Sequence, residues 1–178
     1  IAALYVVYGP LTTMTLSLGK GKGAHQFSLT PENQFIMEKE NIKLKEKGTL
    51  YSLGGKRGDW EGPHKNFVEE LEQEGYKLRY SGGMVPDVNQ ILLKGGGIFT
   101  YPALQTHPNG KLRLLFELEP FSFIIQEAGG KATTGKTDVL DMEATELHQR
   151  APFYIGSTYE VDKAIAILNQ HDRGVNNG

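Results

Sequence analysis

The segment Gly110–Pro120 carries the residues whose types and spacing are best suited to chemistry. In an extended strand, successive side chains point to opposite faces, so one face would carry Lys111, Arg113, Leu115 and Glu117. The other face, with Leu112, Leu114 and Phe116, would lie in the core. Two cations and a carboxylate on one face could hold a metal ion beside a phosphate. A polar strand face with a surface salt bridge fits the same pattern, and the pattern leaves both interpretations open.

A short buried helix is predicted directly after this strand, from Phe121 to Ala128. Pro120 suits its first turn, where no backbone donor is needed. Gly129 and Gly130 suit its C-terminal cap. The predicted site therefore combines a strand, a carboxylate and a helix start, with positive charge nearby.

The remaining apolar pattern predicts strands that first pair as hairpins and then alternate with helices. Strands are predicted at residues 2–8, 12–18, 23–29, 34–38, 49–53, 76–80, 98–101 and 152–155, with short extended pieces at 131–134 and 139–141. Residues 39–47 are predicted to form an exposed connection. Helices are predicted from Pro63 to Gly75, from Met84 to Lys94, and after a capping-box pattern at Ser157–Glu160. This order predicts one α/β domain at residues 1–170, with a mixed β-sheet flanked by helices, and a flexible tail at 171–178.

Composition excludes several classes of protein. The chain has 178 residues, a formal net charge of −2 and no cysteine. A general nucleic-acid binder would show a strong basic excess, and no apolar run reaches the ~20 residues of a membrane span. Without cysteine there is no disulfide or thiolate chemistry, and a reducing compartment is compatible. Because Ile1 already lies in an apolar run without an initiator Met, we expect a piece of a larger protein.

Several runs of residues together resemble class I fructose-1,6-bisphosphatase. They are Arg79–Asp87, Gly95–Pro102, Gly110–Glu117, Glu127–Gly135 and His148–Pro152. The resemblance extends from about Ala2 to Leu168 and covers only the C-terminal half of that family. The Asp-Pro-x-Asp-Gly motif of the N-terminal half does not occur here. The resemblance implies the fold of the sugar phosphatases related to inositol monophosphatase, and Mg²⁺-dependent hydrolysis of the 1-phosphate of fructose 1,6-bisphosphate.

The resemblance also implies roles for single residues. Glu117 matches a metal-ligand glutamate, and Arg113 matches an arginine beside the metal and the reacting phosphate, which makes it the catalytic candidate. The implied substrate contacts are Lys111 for the sugar and its phosphate, Met84 for the sugar through its backbone, and Tyr80 and Tyr101 for phosphate.

Arg79 matches an arginine that reaches into the neighbouring subunit's site, which implies a homo-oligomer, a tetramer in the family. Taken singly, such residues usually have structural roles, because tyrosines at strand ends commonly belong to the core. Taken together, two tyrosines, two arginines and a lysine near one carboxylate favour an anion site. His148 and Arg150 are interpreted as structural.

One run departs from the family pattern. Where the family has Tyr-Ser-x-Asn-Glu-Gly-x-Tyr, this chain has Tyr51-Ser-Leu-Gly54-Gly-Lys56-Arg57. The Asn and the last Tyr hold the 6-phosphate in the family, and here Gly54 and Arg57 replace them. An arginine can bind phosphate through two parallel hydrogen bonds, so Arg57 is predicted to replace the missing tyrosine. A solvated pair of loop charges is the alternative.

These observations predict the substrate-binding half of a Mg²⁺-dependent fructose-1,6-bisphosphatase, a hydrolase of carbohydrate metabolism and gluconeogenesis, located in the cytoplasm. The isolated chain is expected to be inactive, since Glu117 is its one recognisable metal ligand. Sedoheptulose 1,7-bisphosphate is the alternative substrate, because the changed loop borders the distal phosphate. A phosphosugar-binding or regulatory domain without activity is the non-enzyme alternative. The expected partners are the sugar bisphosphate, the N-terminal half of the same protein and further copies of the chain.

Overall fold

An antiparallel meander forms the first part of the chain. The computed structural model describes the backbone of residues 1–175 and the side chains of residues 1–170. The meander runs in sequence order through β1 (Ala3–Val7), β2 (Thr13–Ser17), β3 (Ala24–Leu29) and β4 (Phe35–Ile42). β4 passes the predicted end at Glu38, so the prediction of a connection starting at Lys39 was wrong. Most of β4 is exposed, and charged side chains are common on edge strands because they discourage pairing with other chains.

A mixed five-stranded sheet forms the centre of the molecule. Its strands are β5 (Leu50–Leu53), β6 (Lys77–Leu78), β7 (Gly97–Tyr101), β9 (Lys131–Thr133) and β11 (Phe153–Gly156). Their order in the sheet is β6-β5-β7-β11-β9, with β5 parallel to β6 and β7, and β11 antiparallel to β7 and β9. The short strands β8 (Leu112–Arg113) and β10 (Arg150–Ala151) pair with each other beside it.

Four helices complete the described fold: α1 (Gly62–Gln73), α2 (Met84–Leu93), α3 (Glu119–Glu127) and α4 (Thr158–Val175). Helices α2 and α3 pack between the two larger sheets, where Tyr5 of β1 stacks on Phe121 of α3 with ring centres 4.4 Å apart. Helices α1 and α4 cover the other face of the mixed sheet. Successive residues of β7 follow this layering, because Ile98 packs toward α1 and α4 and Phe99 toward α2 and α3. The predicted α/β class, with a mixed sheet flanked by helices, is confirmed.

The predicted strand from Gly110 to Glu117 is wrong in its second half. Extended pairing stops at Arg113, and Leu114–Leu118 form a π-helical turn that leads into α3. Leu114, Leu118 and Phe121 are all buried, and their spacing is helical, whereas Phe116 is 50% exposed. The helical pattern of large apolar residues therefore decided the structure, and Glu117 does not share a strand face with Lys111 and Arg113.

Two local predictions also differ from the structure. Val139–Asp141 form a 3-10 helix rather than an extended piece, because the Asp138 side chain accepts a hydrogen bond from Leu140 N at 2.9 Å and caps it. Helix α4 begins after Ser157 as predicted, but the capping-box side chains accept hydrogen bonds from backbone N–H groups of other segments. Ser157 Oγ accepts from Gly97 N at 3.1 Å, and Glu160 Oε1 accepts from Gly48 N at 2.8 Å.

The predicted flexible tail at residues 171–178 overlaps α4, whose backbone continues to Val175. Residues 176–178 and the side chains of 171–175 lie outside the described residues. In the described part of the chain, no helix has the length and apolar character that a bilayer crossing requires.

A buried histidine makes stability depend on pH. His64 of α1 is 1% exposed, and burial lowers its pKa from 6.5 to about 3. Between these values the unfolded chain binds a proton that the folded chain does not, so stability falls as the pH falls. We expect the free energy of unfolding to decrease by about 2 kcal/mol more in the wild type than in His64→Gln between about pH 7 and pH 5. Urea unfolding at both pH values measures this, and equal decreases would contradict it.

Candidate functional site

A cavity of about 810 Å³ opens beside the mixed sheet. Three segments supply most of its lining: the loop after β5, the turn before α2 with the first turn of that helix, and the chain from Tyr101 to Glu117. Phe99 and Arg150 complete it. Six of the predicted site residues line this cavity: Tyr80, Met84, Tyr101, Lys111, Arg113 and Glu117. Arg57 and Arg79 do not belong to its lining. Residues that are far apart in the sequence are thus brought to one concave surface, as small-molecule sites require.

Arg113 and Glu117 form an ion pair in the lining of the cavity. Glu117 Oε2 accepts hydrogen bonds from Arg113 N at 2.8 Å and from Arg113 Nε at 3.2 Å. The π-helical turn produces this contact, because it folds the chain back so that a residue four positions later meets the end of β8. The arrangement places a carboxylate and a guanidinium at the same point of the wall, in contact with each other.

Lys111 is exposed, and its backbone is held by a residue that was interpreted as structural. Arg150 Nη1 donates to Lys111 O at 2.8 Å, and Arg150 lies opposite Arg113 in the β8–β10 pair. Arg150 also lines the cavity, so it contributes positive charge there as well. Gly110 begins this segment at φ 78°, and a Cβ there would lie 2.2 Å from Ala151 C, so the close approach of the two chains requires glycine.

Tyr101 explains one of the departures in the loop after β5. A Cβ on Gly54 would lie 2.1 Å from Tyr101 Cδ2, so the tyrosine ring occupies the space that an asparagine would need. Both backbone groups of Gly54 are hydrogen-bonded, which fixes this part of the loop. Gly54 N donates to Thr100 O at 2.7 Å, and Trp60 Nε1 donates to Gly54 O at 3.0 Å. The same loop presents Lys56 to the cavity.

Arg57 lies outside the cavity. Its Nη2 contacts Glu69 Oε1 of α1 at 2.9 Å, and its guanidinium carbon lies 5.8 Å from the centre of the Trp60 ring. Both members of the ion pair are half exposed. A contact between Arg57 and a ligand in the cavity would require this pair to open.

Arg79 is partly buried at the edge of the mixed sheet. It follows β6, which is the edge strand, and its Nη1 donates to Leu78 O at 2.9 Å. Its neighbours Leu78 and Tyr80 are 49% and 70% exposed. Arg79 therefore lies outside this chain's own cavity lining, between two exposed side chains at the sheet edge.

The carboxylates that line the cavity are Asp59, Asp87 and Glu117. Within the described residues, no group of three or more His, Asp or Glu side chains is placed to hold a metal ion. Glu117 accepts hydrogen bonds from Arg113. Asp87 is buried and accepts hydrogen bonds from Ser52 and Ser81. This chain alone does not fit a complete metal centre.

A second cavity of about 720 Å³ lies on the other side of Arg150, which lines both. Its walls include His64, His148, Met142 and Tyr154. Oppositely charged side chains occur in both cavities, but only the first contains the predicted site residues.

Asp87 and Arg150 are among the residues of the first cavity that were not predicted as site residues. Asp87 occurred within the run Arg79–Asp87, but nothing in its spacing indicated burial beside the cavity. Arg150 occurred in a recognised run, but its proximity to Lys111 depends on the pairing of β10 with β8, across 39 residues of sequence. An arginine at the end of a predicted strand gave no signal of such a pairing.

The fold and the cavity together define a class: an α/β domain with a cavity lined by lysine, arginine and tyrosine side chains. Such side chains commonly bind phosphates in proteins. The sequence model of the family described as "Fructose-1-6-bisphosphatase, C-terminal domain" matches residues 44–169. The chain belongs to the fructose-1,6-bisphosphatase family. The matched region begins after β4, so the meander lies before it.

Relatives and a solved structure agree with this family. The class 1 fructose-1,6-bisphosphatase of Geobacter metallireducens is 47% identical over 171 residues, which cover 96% of this chain and 54% of that protein. The enzyme of the same name from Campylobacter jejuni is 46% identical over 170 residues, covering 95% and 59%. The crystal structure of Leishmania major fructose-1,6-bisphosphatase in the T-state aligns with a TM-score of 0.88 and 38% identity, covering 95% and 53%. The chain spans about half the length of the curated relatives it matches.

Proposed function

We propose that this chain is the substrate-binding half of a fructose-1,6-bisphosphatase, which converts fructose 1,6-bisphosphate and water to fructose 6-phosphate and phosphate. The observation that carries the proposal is the convergence on one cavity of six residues that the family resemblance identified in separate runs of the sequence. Lys111 and Arg113 would neutralise phosphate charge, and the hydroxyls of Tyr80 and Tyr101 would donate hydrogen bonds. The backbone at Met84 would contact the sugar.

Glu117 would contribute one ligand to catalytic Mg²⁺, whose other ligands must come from outside this chain. A carboxylate oxygen suits Mg²⁺, which accepts one or two carboxylates together with substrate phosphate oxygens. When bound, such a metal would polarise the reacting phosphate. Arg113 lies against Glu117, so it would hold the reacting phosphate beside the metal ligand.

Hydrolysis by the complete protein tests this proposal. We expect Mg²⁺-dependent release of phosphate from fructose 1,6-bisphosphate, with a higher kcat/KM than for sedoheptulose 1,7-bisphosphate. The 178-residue chain alone should release none. A faster reaction with the seven-carbon sugar would favour the alternative substrate. No reaction of the complete protein with either sugar would contradict the proposal and favour a binding or regulatory domain.

We propose that the cations Lys56 and Arg57, in the loop after β5, bind the distal phosphate. Lys56 lines the cavity directly, whereas Arg57 must first leave Glu69. A charge-assisted contact contributes about 1.5–3 kcal/mol, so Lys56→Ala in the complete protein should raise KM roughly tenfold or more. Arg57→Ala should raise KM less, because the wild-type residue gives up an ion pair to reach the substrate. Steady-state kinetics of both variants measures this, and an unchanged KM in both would show that they are solvated loop charges.

Two exposed surfaces are proposed to contact other protein parts: the meander and the sheet edge at Arg79. The meander exposes large apolar side chains, including Leu4, Tyr8, Phe35, Ile36 and Met37, and exposed apolar patches commonly mark interfaces. We propose that the remaining part of the protein, which the relatives' length implies, packs there. The accessible edge at Arg79 would meet another copy in a homo-oligomer and contribute Arg79 to its site.

The absence of cysteine is compatible with the reducing cytoplasm as the compartment.

A further inference from the structure

Asp87 is a buried carboxylate in the wall of the cavity, and the proposed reaction gives it no direct part. It lies in the first turn of α2 and is 3% exposed. A buried carboxylate destabilises a protein unless its oxygens accept hydrogen bonds. Its hydrogen-bond donors therefore indicate what it holds in place.

The two donors belong to different elements. Asp87 Oδ2 accepts from Ser52 Oγ at 2.7 Å, and Asp87 Oδ1 accepts from Ser81 N at 2.9 Å. Ser52 is fully buried in β5 of the mixed sheet, whereas Ser81 lies in the turn between β6 and α2. The carboxylate thus ties a surface turn to the rigid centre of the molecule.

This turn presents two of the proposed substrate contacts. Tyr80 and Met84 flank it, and both line the cavity. Gly82 and Gly83 lie between them, with Gly82 at φ 86°, so the backbone of the turn has little intrinsic rigidity. Without an anchor, Tyr80, which is 70% exposed, would lose part of its fixed position.

We propose that Asp87 is a positioning residue for substrate binding, which fixes the turn carrying Tyr80 and Met84 through Ser81 and Ser52. The proposal rests on the proposed function of the cavity and deepens it. Asp87 touches no substrate in this account. It acts by keeping the two contact residues in the geometry that binds the sugar phosphate.

Glu160 provides a matched control. It is also a buried carboxylate, and its Oε1 likewise accepts hydrogen bonds from one backbone N–H, that of Gly48, and one side-chain hydroxyl, that of Tyr76. Glu160 lies in α4 and does not line the cavity. Glu160→Gln and Asp87→Asn therefore make the same chemical change, one away from the cavity and one in its wall.

Kinetics of the complete protein with fructose 1,6-bisphosphate separates positioning from general stability. We expect Asp87→Asn to raise KM roughly five- to tenfold with kcat within about twofold, since uniform binding is lost. Both variants should lower the melting temperature by similar amounts, but Glu160→Gln should leave KM unchanged. If Asp87→Asn fails to fold, Ser52→Ala removes one of the two donors and should raise KM in the same direction. A KM change that is equal in the Asp87 and Glu160 variants, or absent in both, overturns the proposal.

Amide hydrogen exchange in the complete protein gives an independent measurement. We expect Ser81 and its neighbours in the turn to exchange about tenfold faster in Asp87→Asn, and not in Glu160→Gln, because the Ser81 amide loses a carboxylate acceptor. If the wild-type complete protein hydrolyses no sugar bisphosphate, the proposed function fails, and exchange alone then decides whether Asp87 holds the turn. Unchanged exchange at Ser81 would overturn that role.

Discussion

Replacing Glu117 by glutamine in the complete protein is expected to lower kcat for fructose 1,6-bisphosphate on the order of 10²–10³-fold. Glutamine keeps the size of the side chain and one acceptor oxygen, but it removes the negative charge. That charge would be needed by the metal ion and by Arg113, whose N and Nε both donate to Glu117 Oε2. Steady-state kinetics over a range of Mg²⁺ concentrations would also show a weaker dependence on the metal.

Glu119 supplies the control for this variant. It lies two residues later in the first turn of α3 and does not line the cavity. Glu119→Gln should therefore retain nearly full activity and Mg²⁺ dependence. Equal losses in the two variants would show that the effect comes from the helix start rather than from a metal ligand.

Arg113→Ala is expected to lower kcat and kcat/KM together, each on the order of 10²-fold or more. The guanidinium would contact the reacting phosphate and stabilise the negative charge on its oxygens in the transition state. Its loss also removes the donor that orients Glu117. Arg113→Lys should recover only part of the activity, because an ammonium keeps the charge but lacks the planar pair of donors. An increase in KM with unchanged kcat would contradict a role in the chemical step.

The sequence predicted most elements of the fold because apolar periodicity and glycine turns are local signals. It failed at Gly110–Glu117, where two periodicities overlap. Leu112, Leu114 and Phe116 alternate as in a strand, whereas Leu114, Leu118 and Phe121 repeat as in a helix. Burial of the second set decided the outcome, and burial depends on the layers that α3 meets in the folded molecule.

The residues around the candidate site were predictable only in part. Tyr80, Lys111 and Glu117 were identified through runs that resemble a known family, and the structure places them around one cavity. The contact of Asp87 with Ser52 joins residues 35 positions apart, and no local pattern indicates such a contact.

The loop after β5 shows the same limit. The replacement of asparagine by Gly54 appeared as a loss of a phosphate contact, but the ring of Tyr101 fills the place of the missing side chain. The pairing of Arg57 with Glu69 likewise depends on how α1 lies against the loop. Tertiary contacts therefore decided which loop cation lines the cavity.

The central claim is that a sugar phosphate binds in the cavity lined by Met84. The methionine methyl groups of this chain can detect such binding directly. The chain has four methionines. Met84 lines the proposed substrate cavity, Met142 lines the second cavity, and Met14 and Met37 lie on the meander. In a titration of the ¹³C-methyl-labelled chain with fructose 6-phosphate, followed by NMR, we expect the Met84 resonance to shift and saturate while the other three stay in place. A saturating shift at Met142 with none at Met84, or no shift at any methionine, would contradict the account.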